Sequence, residues 1–247
     1  MVSSLKNSIR SLLKRFGFSK LRQDWQSLLR RLRQPKFKTE ANHKIKDYLH
    51  NCKKTGAPPL LHVGAGENKI EGWLNTDLEA FSGAVFLDIG KPWPIPSNCL
   101  AAIHAEHVIE HIERNQAKVF LRESLRCLRL GGRLRIVTPD LTFLAKILLA
   151  EELNDIEKKI INRHKEIFRV DKECSVCDYV NDMVRMWGHK YLWTEYELKN
   201  EIIKAGFLTV LKASSKKSSD PLLQGVDSHA FESQASDIAN IFLEAIK

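Results

Sequence analysis

The chain has 247 residues, 43% hydrophobic and 28% charged, and no apolar run long enough to cross a bilayer. It can bury a sizeable core without disulfides, and the composition excludes a membrane-spanning, collagen-like or wholly disordered protein. The formal charge of +9 is unevenly held. Residues 1–55 carry 15 Lys or Arg and three Asp or Glu, whereas residues 56–247 carry 24 and 27. The basic character belongs to the N-terminal fifth, which argues against a nucleic-acid-binding core.

In the first 33 residues, Leu5, Ile9, Leu12 and Phe16 step by helical intervals, and Leu21, Trp25, Leu28 and Leu32 repeat the pattern. Gly17-Phe18-Ser19 predicts a break between two helices, and Pro35 predicts the end of the pattern. An apolar stripe against an Arg/Lys-rich face suits a helix lying at an anionic membrane surface through residues 1–34. Packing of the stripe on the following domain, a transit peptide and RNA binding are the rival readings. No apolar segment suits a secretory signal. The expected location is cytoplasmic and peripheral at the membrane, with organelle import as the alternative.

From residue 57 the chain alternates short apolar runs with amphipathic segments. Leu60-Leu61-His62-Val63 runs into Gly64-Ala65-Gly66, and Trp73-Leu74-Asn75-Thr76 ends at Asp77. Position 69 is Lys69, where a dinucleotide fingerprint wants a third glycine, and Asp77 comes too soon for its acid. Ala84-Val85-Phe86-Leu87 ends at Asp88, and Leu100-Ala101-Ala102-Ile103 runs towards His104 and Glu106. A helix bearing Val119, Phe120, Leu121, Leu125 and Leu128 is predicted to stop at Gly131-Gly132. Leu134 to Thr138 reads as a further strand before Pro139-Asp140. This rhythm predicts an α/β fold with a mostly parallel sheet and a ligand site along the carboxyl ends of its strands.

Residues 141–194 interrupt the rhythm. They hold a charged helix with Leu153, Ile156, Ile160 and Ile167 inward, and then Trp187-Gly188-His189-Lys190-Tyr191-Leu192-Trp193. Cys174-Ser175-Val176-Cys177 lacks the second pair of a zinc ribbon and reads as two ordinary thiols, with His164 and His189 the nearby candidates for a metal site. The odd number of scattered cysteines suits a reducing compartment. Leu208 to Leu211 and the stretch around His229-Ala230-Phe231 predict an antiparallel edge, and residues 236–247 a closing helix with Ile238, Phe242 and Ile246 inward.

The series Gly64-Ala65-Gly66, Gly72-Trp73-Leu74-Asn75-Thr76-Asp77, Trp93-Pro94-Ile95-Pro96, His107-Val108-Ile109-Glu110-His111 and Leu121 to Ile136 resembles a class I S-adenosylmethionine-dependent methyltransferase. It is most similar to the small bacterial-type branch with Gly-Trp-x-Asn-x-Asp after the glycine turn. His189-Lys190-Tyr191 and Ala205-Gly206-Phe207 also match, and the resemblance covers about residues 58–213. It implies a Rossmann-like, mostly parallel sheet with helices on both faces and an antiparallel C-terminal edge, over residues 56–247. A basic helical extension, residues 1–55, precedes it, and the acceptor-site insertion lies at about 141–194.

The resemblance implies S-adenosylmethionine as cofactor. Gly64, Ala65 and Gly66 would approach its methionine part, Asp77 with Leu78 its ribose, Asp88 with Ile89 its adenine, and Ala105 and Glu106 its sulfonium end. The acceptor would be a small molecule, glycan or lipid. The chain departs from the superfamily at His62, Ala101 and Leu130, and the connection from Gly66 to Trp73 is too short for a crossover helix. Methyl transfer needs alignment, exclusion of water and, for a hydroxyl acceptor, a base. His104, His107, His111, Asp140 and His189 are candidate bases, of which His189, Asp140 and His111 are preferred. Two alternatives stand beside this reading. One is a non-catalytic cofactor-binding domain of the same fold. The other is a zinc hydrolase using His107-x-x-Glu110-His111, a pattern whose third ligand the sequence does not place.

Overall fold

A computed structural model describes residues 19–79, 83–169, 173–228 and 233–247, with side chains from residue 37 onward except Ser233. The first amphipathic segment and the expected break at Gly17-Phe18 therefore lie outside the described residues, as does the expected strand at 229–231. The chain divides into two units, residues 1–43 and 44–247. Helix α1 (Ser19–Thr55) runs through Pro35 rather than ending there. A proline removes one backbone hydrogen bond, but the helical spacing of Ile45, Tyr48 and Cys52 continues the element beyond it. Among the described residues, no helix is long and apolar enough to cross a membrane.

Within residues 44–247 the strands are β1 (Leu60–Val63), β2 (Leu74–Asp77), β3 (Val85–Phe86), β4 (Leu100–Glu106), β5 (Leu128–Pro139), β6 (Thr209–Lys212) and β7 (Asn240–Ile246). They form one sheet in the order β3-β2-β1-β4-β5-β7-β6. The pairs from β3 to β5 are parallel, and β7 is antiparallel to both β5 and β6. The fold is thus α/β and Rossmann-like, with an antiparallel C-terminal edge. Order reverses beside β1, so the C-terminal ends of β1 and β4 flank a crevice where such sheets take ligands.

The helices are α2 (Arg114–Cys127), α3 (Leu141–Leu149), α4 (Asp155–Phe168), α5 (Val176–Arg185), α6 (Glu195–Ala205) and α7 (Ser233–Ala239). Phe120 and Leu121 of α2 and Leu198 and Ile202 of α6 join the main core with Leu61, Ile103 and Leu134 of the sheet. A second cluster holds Phe143, Leu144 and Ile147 of α3, Ile160 and Ile161 of α4, and Tyr179 of α5. The 141–194 segment therefore packs around a second core, which Ala239 and Ile238 of α7 complete. Ile167, expected inward, is 49% exposed, and Ile161 takes a buried place on α4 instead.

Two further expectations change. Gly131-Gly132 do not cap α2, which ends at Cys127; they lie in β5, where Gly131 has φ +73° and Gly132 sits so close to Arg129 and Ala101 that a Cβ would meet their carbonyl oxygens. The expected closing helix is instead α7 followed by β7. Ile241, Phe242, Leu243, Glu244 and Ala245 are all buried because β7 is inserted between β5 and β6. A strand buried on both faces reads as a continuous apolar run, which periodicity cannot tell from helix.

Candidate functional site

The connection from β1 to β2 contains turns and no helix, as its length requires. Its shape is set by the residues that follow. Asn75 accepts the Ile70 N–H at 2.9 Å and donates to the carbonyls of Ile70 (2.8 Å) and Trp73 (3.0 Å). Trp73 is buried with Ala102 and Leu223. The Tyr48 hydroxyl lies 3.1 Å from the carbonyl oxygens of both Leu60 and Gly72, and accepts the Leu60 N–H at 3.0 Å. Asp77 closes the glycine turn: its Oδ2 accepts the Gly66 N–H at 2.9 Å and its Oδ1 the Glu79 N–H at 2.8 Å. An ionised carboxylate has about four acceptor positions, so this anchoring leaves room for two hydroxyl donors.

The two glycines of the turn differ. A Cβ on Gly64 would fall 2.1 Å from Cγ2 of Val108, whereas one on Gly66 (φ +51°) would meet nothing within 4 Å among the described residues. Gly64 is required by packing and backbone conformation, and Gly66 faces open space. The two look alike in sequence because Val108 comes from another strand end.

That space belongs to a cavity of about 630 Å³, within the range of small-molecule sites. Gly64, Ala65, Gly66 and Glu106 line one side, and His107, Glu110, His111 and His189 continue the wall. The far side is aromatic: His164 meets Tyr179, Phe168 and Trp187 with ring centroids 5.0, 5.2 and 5.9 Å apart. Glu106 is buried, and its Oε2 accepts both the N–H and the hydroxyl of Ser228 at 2.8 Å. His107 (φ +51°) and Trp187 (φ +58°) have left-handed backbones unusual for their side chains. Such strain persists where surrounding structure enforces it, often at functional sites.

Residues 107–111 form a bend and a single 3₁₀ turn at Ile109–His111, so His107 and His111 do not share a helix face. His107 Nδ1 instead lies 3.0 Å from Glu110 Oε1, while the Thr138 hydroxyl donates to Glu110 Oε2 at 2.9 Å. Burial opposes charge on this pair, yet the bond and charge of His107 hold Glu110 below its usual range, and Glu110 holds His107 above its own. The backbone carbonyl of Glu110 accepts the N–H groups of Lys190 (2.7 Å) and Tyr191 (3.2 Å). These bonds bring His189 beside His111, with ring centroids 4.8 Å apart.

His189 does not sit between two tryptophans. Trp187 is 5.6 Å away, but Trp193 is fully buried against Tyr191. Asp140 lies outside the cavity wall; its Oδ1 accepts the Thr142 N–H at 2.8 Å as the N-cap of α3. Of the other expected site residues, Ala105 and Ile89 are buried in the core. Leu78 is 42% exposed, and Asp88 caps Gly90 and pairs with Lys91 at 2.8 Å. None of these four lines the cavity, nor does Asp77. Residues 80–82, between Asp77 and Asp88 in sequence, lie outside the described residues.

Cys174 and Cys177 are free thiols. Cys174 lies near His164 and Asp182, but Arg169 holds the Asp182 carboxylate through Nε (2.8 Å) and Nη2 (3.1 Å), which occupies the charge an ion would need.

No family model matches the sequence, and no curated protein matches it. Among solved structures, the chain is similar to a SAM-dependent methyltransferase from Archaeoglobus fulgidus, with 15% identity over 82% of this chain and 94% of that one, at a TM-score of 0.48. It is similar also to a possible histamine N-methyltransferase from Thermotoga maritima, with 15% identity over 90% and 99% and a TM-score of 0.44. A third is phosphoethanolamine N-methyltransferase 2 of Haemonchus contortus, with 14% identity over 77% of this chain and 48% of that one, at 0.44.

Proposed function

We propose that this chain is an S-adenosylmethionine-dependent methyltransferase acting on a small-molecule, glycan or lipid acceptor. One observation carries the reading: Gly66 faces an open cavity at the C-terminal end of β1 while its N–H holds Asp77 at the end of β2. This pairs a backbone cradle with a carboxylate that has acceptor positions to spare, as an aminoacyl-nucleoside ligand requires. Bound there, S-adenosylmethionine would supply an electrophilic methyl group. Gly64, Ala65 and Gly66 would hold its methionine part and Asp77 its ribose hydroxyls. Leu78, Asp88 and Ile89 are the candidates for the adenine end. Glu106, held by Ser228 at the cavity, would place negative charge near a cationic sulfur. The aromatic wall would exclude water and orient the acceptor, and His111 and His189 supply its polar groups. Asp140, committed to capping α3, has no part in this scheme.

The test is incubation of the full chain with methyl-labelled S-adenosylmethionine and fractionated small-molecule, glycan and lipid extracts. A labelled product that disappears in Asp77→Ala is expected. Saturable binding of the cofactor without any labelled product would favour the non-catalytic reading. For residues 1–34 we propose adhesion to an anionic membrane surface, supported by their charge and helical periodicity. Deleting them should abolish sedimentation with anionic liposomes and leave cofactor binding intact; unchanged sedimentation would overturn this assignment.

A further inference from the structure

We propose that Glu110, His111 and His189 bind a divalent transition-metal ion in the cavity wall, with coordination positions left open for oxygen donors of the acceptor. One ligand atom from each lies within 4.8 Å of the others. The three residues come from two segments, the turn after β4 and the stretch after α5, and the bonds from Lys190 and Tyr191 to the Glu110 carbonyl fasten these together.

The His189 imidazole is tethered as a metal-bound histidine is. His189 Nδ1 lies 2.5 Å from the Met183 carbonyl oxygen, and the His111 ring packs edge-on against that of His189 with centroids 4.8 Å apart. A ring N–H given to a carbonyl fixes the tautomer and leaves the lone pair of the other nitrogen available.

Glu110 is fully buried, and its two carboxylate oxygens are bonded to His107 and Thr138, the outer partners that orient a ligating carboxylate. The pattern is therefore not the His-x-x-Glu-His of the sequence. His107 supports Glu110, and the third ligand is His189, which no local spacing could reveal. Two imidazoles and a carboxylate suit zinc, cobalt, iron or manganese better than calcium, and three protein ligands leave space for exogenous ones. The second part of the proposal rests on the methyl-transfer reading: an ion here would select acceptors bearing a hydroxyl and lower the pKa of that group.

The experiment is titration of chelator-stripped, tag-free full chain with cobalt(II), followed by visible absorption. One ion per chain is expected, with affinity lowered at least ~100-fold in His111→Gln and in His189→Gln and unchanged in Cys174→Ser. Retained binding of S-adenosylhomocysteine by the two histidine variants would show that they are folded. Absence of cobalt(II) uptake, uptake indifferent to both histidines, or loss in Cys174→Ser would overturn the site. Addition of acetohydroxamate, a bidentate oxygen donor, should shift the cobalt spectrum; an unchanged spectrum would overturn the open positions. Failure of S-adenosylhomocysteine binding with the cobalt site intact would instead contradict the methyl-transfer reading.

Discussion

The two faces of the sheet solve the same burial problem with different chemistry. On one face, the register aligns Leu61 with Ile103, Leu134 and Ala245, and Val63 with Ala105, Ile136 and Leu243. These apolar rows pack beneath α2 and α6. On the other, the same register aligns Asn75, His62, His104, Arg135 and Glu244 across five strands. Every member except Asn75 is buried, beneath the loop that carries Ser214, Lys217, Leu223 and Asp227. The first face stabilises the fold without regard to pH or partner, whereas the second is held unevenly: Arg135 is fully bonded, but neither ring nitrogen of His104 has a hydrogen-bond partner among the described residues. It also reaches the site, because Asp227 precedes Ser228, which holds Glu106 at the cavity.

The sharpest way to break this contrast is Arg135→Met. The guanidinium is fully buried, bound by Asp227 at 2.7 and 2.6 Å and by Glu244 at 2.6 Å, and it donates to the carbonyls of Lys217 and Ser214. Removing it takes the guanidinium from buried Asp227 and leaves Glu244 with Arg133 at 3.2 Å, and urea unfolding should show a loss of about 3–5 kcal/mol. A loss under 1 kcal/mol would mean that the row is not held by charge.

Acid should separate the faces next. Burial, then the charge of His104, pushes His62 down to about 4 from the ordinary 6.5. His62 is thus neutral in the fold and protonates more readily once unfolded, so its contribution is complete above pH 6.5 and is lost as pH falls towards 4. The shift corresponds to about 3 kcal/mol. Denaturation as a function of pH should lose that slope in His62→Gln, and an unaltered slope would place the acid sensitivity elsewhere. The smallest effect belongs to the apolar face. Ile136→Val should cost about 1 kcal/mol in urea unfolding, with no change in pH dependence between pH 4 and 7.

The apolar face was also the legible one. Leu60 to Val63, Leu74 to Asp77 and Leu134 to Thr138 announce strands by composition and by the polar residue at each end, and the glycine turn announces the ligand end. The polar row was invisible because each member is separated by a whole element from the next, and only register brings His62, His104 and Arg135 together. Strand β7 resembles a helix in sequence for a related reason: central burial erases the alternation that marks a half-exposed strand. The turn Gly64-Ala65-Gly66 and the acid Asp77 that bonds to it carry a local sequence signal. Val108 against Gly64, and His189 against His111 and Glu110, are long-range contacts with no local signal. Asp140 shows the ambiguity of such a position, since a strand-end acid and a helix N-cap look identical in sequence.

Calorimetric titration with S-adenosylhomocysteine, comparing the wild-type chain with Asp77→Ala and His111→Gln, tests the central claim most directly. The account predicts saturable one-to-one binding, abolished in Asp77→Ala and retained in His111→Gln, because the proposed cofactor contacts at Gly64 to Gly66 and Asp77 do not include His111. No binding to the wild type, or equal binding by the wild type and Asp77→Ala, would contradict it.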